Sequence, residues 1–478
     1  MSESNGRGRE TTRWRPRRGP ELALVCLGLA FGGLLLAITP PFQAPDEQVH
    51  FYRAYQVSDG GLVAEKRGGK SGGWVPESLP ALIGPFMGLR HHPRKTTTVD
   101  AILDTFSIPL DRSSRRFVSF ETTAVYTPVP YLPQSLGISL GKALDLGPLT
   151  LLYLGRGANL IASLLLVLVA IRVAPAFKWV FVLLAVMPMA AFQMASVSAD
   201  ALTNAIALLF TAMILRLALT ESSVDARALA ALLATSLLLS LSKQAYSALL
   251  LLFLAVPASR LGSPRRYLAV FASLVALNAA ALGGWAFVTK DVYAPPSWIN
   301  NVDPAAQLRW IAANPTQFTG MLLESYSWPE PRVYSDFMVG RALGWMDTAI
   351  PYAVIRSYQF VLIAAALFDS RSEIRMGARI KIVALAVALV ELALIGTMAY
   401  VGASAVGAKR IAGIQGRYFI PLSALPLLML YNRTLRASVL AWIPREQMIT
   451  RSCTTGLFAF LLFCSALICF FVAGRYYP

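Results

Sequence analysis

The sequence has too little charge for an ordinary soluble protein. Only 14% of its 478 residues are Asp, Glu, Lys or Arg, whereas about 25% is usual in soluble domains. Apolar residues make up 56% of the chain, and the mean hydropathy is +0.55. Apolar stretches of about 20 residues recur along most of the sequence, and each can cross about 30 Å of hydrocarbon as a helix. These features exclude a secreted enzyme and a protein with a single membrane anchor.

Residues that usually hold metals or redox centres are also scarce. The chain has three histidines and four cysteines, and their spacing forms no metal or redox motif. It contains no Walker loop and no dinucleotide-binding glycine motif. We therefore assign no cofactor and no metal ligand. Asp46 and His50 could together supply two ligands, which leaves a divalent metal as an open option.

The excess of basic residues is explained by a membrane. There are 43 Lys and Arg against 26 Asp and Glu, which gives a net charge of +17. These residues lie between the apolar segments, where positive charge orients membrane helices, and no compact basic domain is left over. We expect the chain to contact membrane lipid and not nucleic acid.

The apolar windows predict an all-α polytopic integral membrane protein with about eleven transmembrane helices. With the N-terminus in the cytoplasm, the short basic connections between helices fall on the same side. Residues 1–20 then form a basic cytoplasmic tail, and residues 21–478 form a single membrane domain. The predicted helices span residues 21–39, 149–171, 178–195, 199–219, 227–242, 245–259, 267–289, 353–369, 380–402, 418–431 and 453–473.

The same topology places three longer segments on the outer face: a large first loop at 40–148, a second at 290–352 and a basic loop at 403–417. Loops of this length are commonly functional, and proline-broken segments in the first loop predict helices that lie along the membrane interface. No inverted repeat relates the two halves of the chain, which weakens a transporter interpretation. We therefore look for the functional site on the outer face.

The first outer loop begins with a group of residues suited to acid–base chemistry. Pro45 fits the first turn of a helix, which would put Asp46 and Glu47 at the positive end of the helix dipole. Asp46, His50 and Arg53 would then share one helix face. An alternative is that the two carboxylates only stabilise the start of the helix.

Several charged residues lie near predicted helix ends at the same face. Arg156, Asp200 and Lys243 fall in or beside apolar segments, where charged residues usually face a cavity or a partner. Snorkelling to the interface or an internal pair of Asp200 with Lys243 is the alternative. The remaining members of this set follow later in the chain: Lys409, Arg410, Arg417 and Tyr418. The cations predict that an anion binds there.

A sugar transferase on the outer face requires a donor that is activated on a membrane carrier, because nucleotides are supplied in the cytoplasm. A polyprenyl-phosphate sugar meets this requirement. Its transfer needs a carboxylate that accepts the proton of the acceptor hydroxyl and cations that stabilise the departing phosphate. A single displacement of this kind inverts the anomeric configuration.

Five segments together resemble a known family. They are 45–51, 126–133, 198–200, Lys243 and 413–419, and they are similar to the bacterial predicted membrane proteins catalogued as domain of unknown function 2142. That family is similar in plan to the GT-C glycosyltransferases, which use lipid-phosphate sugars and carry an acidic catalytic base in the first outer loop. The resemblance implies a multi-pass protein of the bacterial inner membrane with Asp46 as base, and Glu47 is the close alternative.

The sequence thus predicts a GT-C-like glycosyltransferase that moves a sugar from a polyprenyl-phosphate donor to a cell-envelope glycan or glycolipid. Lys243 and Arg417 are the expected phosphate contacts. Two other readings stay open. One is a transporter or flippase of a lipid-linked or anionic solute, and the other is an assembly subunit, polymerase or ligase of envelope polysaccharides.

Overall fold

A computed structural model describes residues 19–220, 224–295, 299–327, 331–369, 374–441 and 446–478. Residues 1–18, which hold most of the predicted basic tail, lie outside the described residues. The α-helices, numbered along the chain, are α1 (Gly19–Ile38), α2 (Glu47–Ser58), α3 (Ser78–Met87), α4 (Val99–Asp104), α5 (Glu121–Ala124), α6 (Leu132–Ala143), α7 (Pro148–Val173), α8 (Lys178–Ala185), α9 (Pro188–Met194), α10 (Ala199–Leu219), α11 (Ala226–Ser242), α12 (Pro264–Thr289), α13 (Pro304–Ala313), α14 (Pro315–Ser327), α15 (Pro331–Val339), α16 (Tyr352–Phe368), α17 (Ala378–Ala403), α18 (Ala424–Leu430), α19 (Arg433–Ala441) and α20 (Glu446–Tyr476).

Short strands and tighter helical turns connect these helices. The strands are β1 (Glu65–Arg67), β2 (Lys70–Pro76), β3 (Arg115–Ser119), β4 (Ala342–Leu343) and β5 (Thr348–Ala349). The 3₁₀ segments are Thr105–Ser107, Val129–Tyr131, Gln244–Ala255, Ala258–Leu261 and Gly416–Leu422. The fold is therefore mostly helical, and the first outer loop carries the larger of the two sheets.

Within the described ranges, six helices are long and apolar enough to cross a membrane: α1, α7, α10, α12, α17 and the 454–476 part of α20. Each has a stretch of high hydropathy with few charges, as a membrane-spanning helix requires. This confirms a membrane protein with several apolar helices. The remaining predicted windows form shorter elements, so the count of eleven spanning helices stays a prediction.

Three predicted windows are not continuous α-helices. The window 178–195 is divided into α8 and α9, because Pro188 begins a new helix and cannot donate a backbone hydrogen bond to the preceding turn. The window 245–259 is mainly a 3₁₀ helix with a kink at Tyr246, although such helices rarely extend beyond four residues. The window 418–431 is divided into a 3₁₀ segment and α18.

The all-helical prediction is wrong in the first outer loop. Strands β1, β2 and β3 form an antiparallel sheet in that order, with Trp74 of β2 paired opposite Phe117 of β3. A side chain at Gly72 would clash with the backbone carbonyl of Val118, so glycine permits the close approach of the two strands. The sheet lies in a Gly-, Ser- and Arg-rich region that has no helical hydrophobic period.

Helices α7 and α10 form the centre of the bundle. Helix α7 packs against α1, α6 and α10, and 83% of the apolar window of α10 is buried, against 11% for α12. Helix α12 therefore lies at the edge of the bundle, with most of its surface exposed. At the start of α10, Val197 and Ala199 share a buried cluster with Phe51 and Tyr131 of the first outer loop. This junction of loop and bundle holds the candidate site.

Candidate functional site

Four ionised side chains form a continuous row at the start of α10, and we call them the charge cluster. Asp46 Oδ2 lies 3.0 Å from Arg417 Nη2, and Arg417 Nε lies 3.8 Å from Asp200 Oδ2. Asp200 Oδ1 in turn lies 2.8 Å from Lys243 Nζ. The four residues come from four separate segments of the chain, so the fold brings together what the sequence keeps far apart.

Asp46 is the most accessible acid of the charge cluster. Its side chain is 37% exposed, whereas that of Asp200 is 11% exposed. The helix begins at Glu47 and not at Pro45 as predicted, and Asp46 precedes it with φ 60° and ψ 13°. This left-handed conformation is uncommon for residues other than glycine, although Asp tolerates it better than most. The Asp46 side chain makes no capping hydrogen bond to the helix.

Glu47, the alternative base, lies in a closed ion pair. Its Oε2 lies 2.6 Å from Arg156 Nη2, and both side chains are 0% exposed. Glu47 Oε1 accepts hydrogen bonds from Arg156 Nε and from the backbone amide of Val197. Because both carboxylate oxygens are occupied and shielded, the structure corrects the prediction that Glu47 is an accessible base.

Arg156 is likewise a structural residue and not a substrate contact. Besides Glu47, its guanidinium donates to the backbone carbonyls of Leu36, Thr39 and Pro40. These carbonyls lie at the end of α1, where a helix leaves acceptors without internal partners. Arg156 therefore joins α7 to the end of α1, and the prediction that it binds an anionic substrate is wrong.

His50 lies near the charge cluster but is enclosed. Its Nδ1 is 2.8 Å from the Tyr131 hydroxyl, and the ring is 6% exposed. Burial lowers the pKa of His50 to about 4, against the opposing influence of the Asp46 and Asp200 charges. The imidazole is therefore neutral near neutral pH, and it supports Tyr131 and the wall of the site.

Arg53 does not join this group, which corrects the predicted shared face with Asp46 and His50. Its guanidinium donates to the backbone carbonyls of Leu62 and Tyr126 at 2.6 and 2.9 Å. It also donates to the Gln56 side chain, and it is 0% exposed. Arg53 therefore ties the first outer loop together and is not available to a substrate.

Asp200 is held in place from several directions. It occupies the first turn of α10, where Ser198 caps the helix by accepting a hydrogen bond from the Asp200 amide. Gln193 Nε2 donates to Asp200 Oδ2 at 3.0 Å, and Asn204 Nδ2 donates to Gln193 Oε1. The sequence analysis missed Gln193 and Asn204, whose signal is a polar side chain within an apolar segment.

Lys243 forms an internal pair with Asp200, which is the alternative to an anion contact in the sequence-based prediction, and it also faces aromatic rings. Its Nζ lies 4.8 Å from the centre of the Tyr418 ring and 5.9 Å from that of Tyr246. The guanidinium carbon of Arg417 lies 5.5 Å from the same Tyr418 ring. The Tyr418 ring is thus within cation–π distance of both cations of the charge cluster.

An amphiphilic pocket of about 270 Å³ opens beside the charge cluster. Lys243, Tyr126 and Tyr418 contribute polar groups to its wall. Its apolar wall includes Ile395 and Met398 of the membrane helix α17. The pocket therefore combines a cation with apolar side chains of a membrane helix.

Two predicted cations lie apart from this buried arrangement. Lys409 and Arg410 are exposed in the segment after α17, whereas Arg417 is 7% exposed. The structure therefore brings Arg417, but not the exposed side chains of Lys409 and Arg410, into the charge cluster. Among the described residues, no group of three or more His, Cys, Asp or Glu side chains is arranged to hold a metal ion.

The comparison with protein families agrees with the expected resemblance. A family model described as predicted membrane protein (DUF2142) matches residues 29–426, which is most of the chain and includes every member of the charge cluster. No curated protein and no solved structure matches the chain. The family prediction is thus confirmed, and the match covers the site as well as the bundle that supports it.

Proposed function

We propose that this chain, which belongs to the DUF2142 family of predicted membrane proteins, is a GT-C-like glycosyltransferase. It transfers a sugar from a polyprenyl-phosphate donor to a glycan or glycolipid acceptor on the outer face of the bacterial inner membrane. The observation that carries the proposal is the amphiphilic pocket next to the charge cluster. A lipid phosphate has the same combination of one charged end and one apolar end.

The donor is held by both parts of the pocket. Its phosphate contacts Lys243, whose ammonium is already positioned by Asp200 at 2.8 Å. Its prenyl chain lies against the apolar wall that includes Ile395 and Met398. Arg417 adds a second cation to the charge cluster, and positive charge near the departing phosphate stabilises the negative charge that develops on it.

Asp46 is the general base of this reaction. It is the exposed end of the charge cluster, and the Arg417 guanidinium fixes its orientation at 3.0 Å. The acceptor hydroxyl gives its proton to the Asp46 carboxylate while its oxygen bonds to the anomeric carbon. The bond from that carbon to the phosphate oxygen breaks, and its electron pair leaves with the phosphate. One displacement inverts the anomeric centre.

Transfer of radiolabelled sugar tests the proposal. Membranes containing wild-type or Asp46→Asn protein are supplied with a small panel of polyprenyl-phosphate sugars and envelope acceptors. Wild type is expected to transfer label from at least one donor, and Asp46→Asn to lose that transfer at unchanged protein level. Asp104→Asn changes an exposed aspartate of the same outer loop and serves as the matched control. Equal transfer by Asp46→Asn and wild type would remove Asp46 as base.

A second candidate, a transporter of a lipid-linked solute, is favoured by one feature of the bundle. Glu391 lies in the middle of α17 and is 0% exposed, and no cation among the described residues forms an ion pair with its carboxylate. It faces the 3₁₀ segment Gln244–Ala255, which packs against α17. Buried intramembrane acids and interrupted helices are typical of transport paths.

The two candidates respond differently to two substitutions. In proteoliposomes carrying a fluorescent polyprenyl phosphate, a transporter loses lipid movement with Glu391→Gln and keeps it with Asp46→Asn. A glycosyltransferase shows the sensitivity to Asp46→Asn in the transfer assay and no protein-dependent lipid movement. Movement that depends on Glu391 together with absence of transfer from every donor would replace the first candidate by the second.

A further inference from the structure

A second and larger cavity, of about 520 Å³, lies at the far end of α17 from the charge cluster. We call it the distal pocket. Three cations line it, Arg375, Lys381 and Arg433, and no acidic residue is among the described residues that do so. Its apolar lining includes Leu367 and Met429. The distal pocket therefore combines cationic and apolar side chains in one lining.

The length of α17 places the two pockets at opposite surfaces of a bilayer. Ala403, the last residue of α17, lines the pocket beside the charge cluster, while Arg375 and Lys381 flank its first residue, Ala378. A helix of 26 residues rises about 39 Å, and a bilayer with its headgroup regions is about 40–45 Å thick. If one pocket lies at the outer interface, the distal pocket lies at the inner one.

Lys381 is positioned before any ligand arrives. Its ammonium donates to the backbone carbonyls of Met429 and Tyr431, both at 2.9 Å. These carbonyls lie at the end of α18, where the helix dipole attracts a cation. An ammonium has three N–H donors, so two fix its place and one is left to bind a ligand. Less side-chain entropy is then lost on binding.

The orientation of membrane helices explains why basic residues occur at this end of the bundle, but it does not explain a cavity. Arg265 and Arg266 at the start of α12 are exposed and line no part of the distal pocket. The start of α12 lies at the same end of the bundle as the distal pocket, because Arg379 of α17 donates a hydrogen bond to the backbone carbonyl of Leu254, which shortly precedes α12. Basic residues that only orient the membrane helices could lie outside any cavity, as Arg265 and Arg266 do.

We propose that the distal pocket binds the phosphate group of an anionic phospholipid. The phosphate contacts Arg375 and Lys381, and the acyl chains lie against the apolar lining. Arginine and lysine at a membrane interface favour anionic headgroups, and this pocket places three of them around one concave space. The site is independent of the sugar-transfer proposal, because it shares no lining residue with the outer pocket.

Native mass spectrometry of the purified full-length protein in detergent tests the site. Phosphatidylglycerol is titrated against phosphatidylcholine for wild type and for three variants: Arg375→Gln, Lys381→Met and a control with both Arg265→Gln and Arg266→Gln. Wild type is expected to prefer phosphatidylglycerol about tenfold or more. Arg375→Gln and Lys381→Met are expected to lose most of that preference, whereas the control retains it.

Arg375 is exposed, so its substitution keeps the test valid even if Lys381→Met disturbs the end of α18. An equal loss of preference in the control would overturn the proposal, because total charge and not the pocket would then decide. Wild type without any preference for phosphatidylglycerol would overturn it as well. Inorganic phosphate is added as a competitor: failure to displace the lipid at millimolar concentration supports a lipid site, and displacement at the concentration of the lipid refutes it.

Discussion

Two carboxylates that are neighbours in the sequence lie in contrasting ion pairs. Glu47 and Arg156 are both 0% exposed, whereas Asp46 is 37% exposed and its partner Arg417 is 7% exposed. Both pairs join the first outer loop to a distant part of the chain. Exposure, and not the type of charge, therefore separates the enclosed pair from the pair that meets solvent.

The local backbone explains why the two side chains diverge. Asp46 has a left-handed conformation just outside α2, and Glu47 is the first residue of the helix. The Glu47 side chain therefore turns inward to α7, where Arg156 also closes the end of α1. The Asp46 side chain turns to the charge cluster and solvent.

The largest expected effect comes from breaking the buried Glu47–Arg156 pair. Glu47→Gln leaves the Arg156 guanidinium buried without its counter-charge, which costs about 3–5 kcal/mol in comparable buried pairs. We expect a much lower midpoint of thermal unfolding in detergent and a low yield of folded protein. Glu77→Gln, at an exposed glutamate of the same loop, should leave both unchanged. A Glu47→Gln protein as stable as wild type would contradict a structural role for this pair.

Changing the partly exposed Asp46–Arg417 pair should give the reverse pattern, a large loss of activity with little loss of stability. Asp46→Asn removes the proposed base, and loss of a general base commonly lowers the rate about 10²–10⁴-fold. Stability should change by only about 0–1 kcal/mol, since partly exposed ion pairs contribute little. Sugar transfer and thermal unfolding measured on the same preparation check both halves. A large loss of stability without a specific loss of transfer would make Asp46 a second structural residue.

A smaller effect is expected at the other end of the charge cluster. Lys243→Met removes the proposed charged hydrogen bond to the donor phosphate, worth about 1.5–3 kcal/mol, or a tenfold to hundredfold rise in the KM for donor. The rate at saturating donor should fall less, because Asp46 keeps Arg417. Lys409→Met, at an exposed lysine of the late outer segment, is the control. A fall in kcat with unchanged KM would place Lys243 outside the phosphate site.

The sequence predicts the six long apolar helices well and the roles of the charges less well. Helices such as α1, α10 and α17 follow directly from long apolar windows, because hydrophobic length decides them. Charge near a membrane also marks functional regions, and Asp46, Asp200, Lys243 and Arg417 do converge. The convergence of four segments is a tertiary property that no local pattern specifies.

The errors in the predicted roles of the charged residues have one physical origin. A charged residue near the membrane interface satisfies the same sequence pattern whether it pairs internally or faces a cavity. Arg53 and Arg156 differ from Arg417 only in what surrounds them, since the first two are occupied by backbone carbonyls. The three-stranded sheet escaped prediction because its strands are short and rich in small and charged residues.

The smallest expected effect concerns His50, which lies one turn beyond both carboxylates and makes the stability of this region depend on pH. Burial lowers its pKa in the folded protein to about 4, and the unfolded value is about 6.5. Between these values the unfolded chain binds more protons, so stability falls as the pH falls through that range and levels off below about 4. The nearby charges that face the ring are Asp46, Asp200, Arg417 and Lys243.

We therefore expect the midpoint of thermal unfolding to drop between about pH 7 and pH 4.5, and His50→Asn to reduce that drop because asparagine does not titrate. His92→Asn, at an exposed histidine, should show the full drop of the wild type. If His50→Asn also shows the full drop, the acid sensitivity arises elsewhere in the molecule. If the drop is smaller, the His50 ring is shielded from water in the folded protein. Asp46, one helical turn earlier, is partly exposed, so the exposure of the side chains changes sharply over that turn.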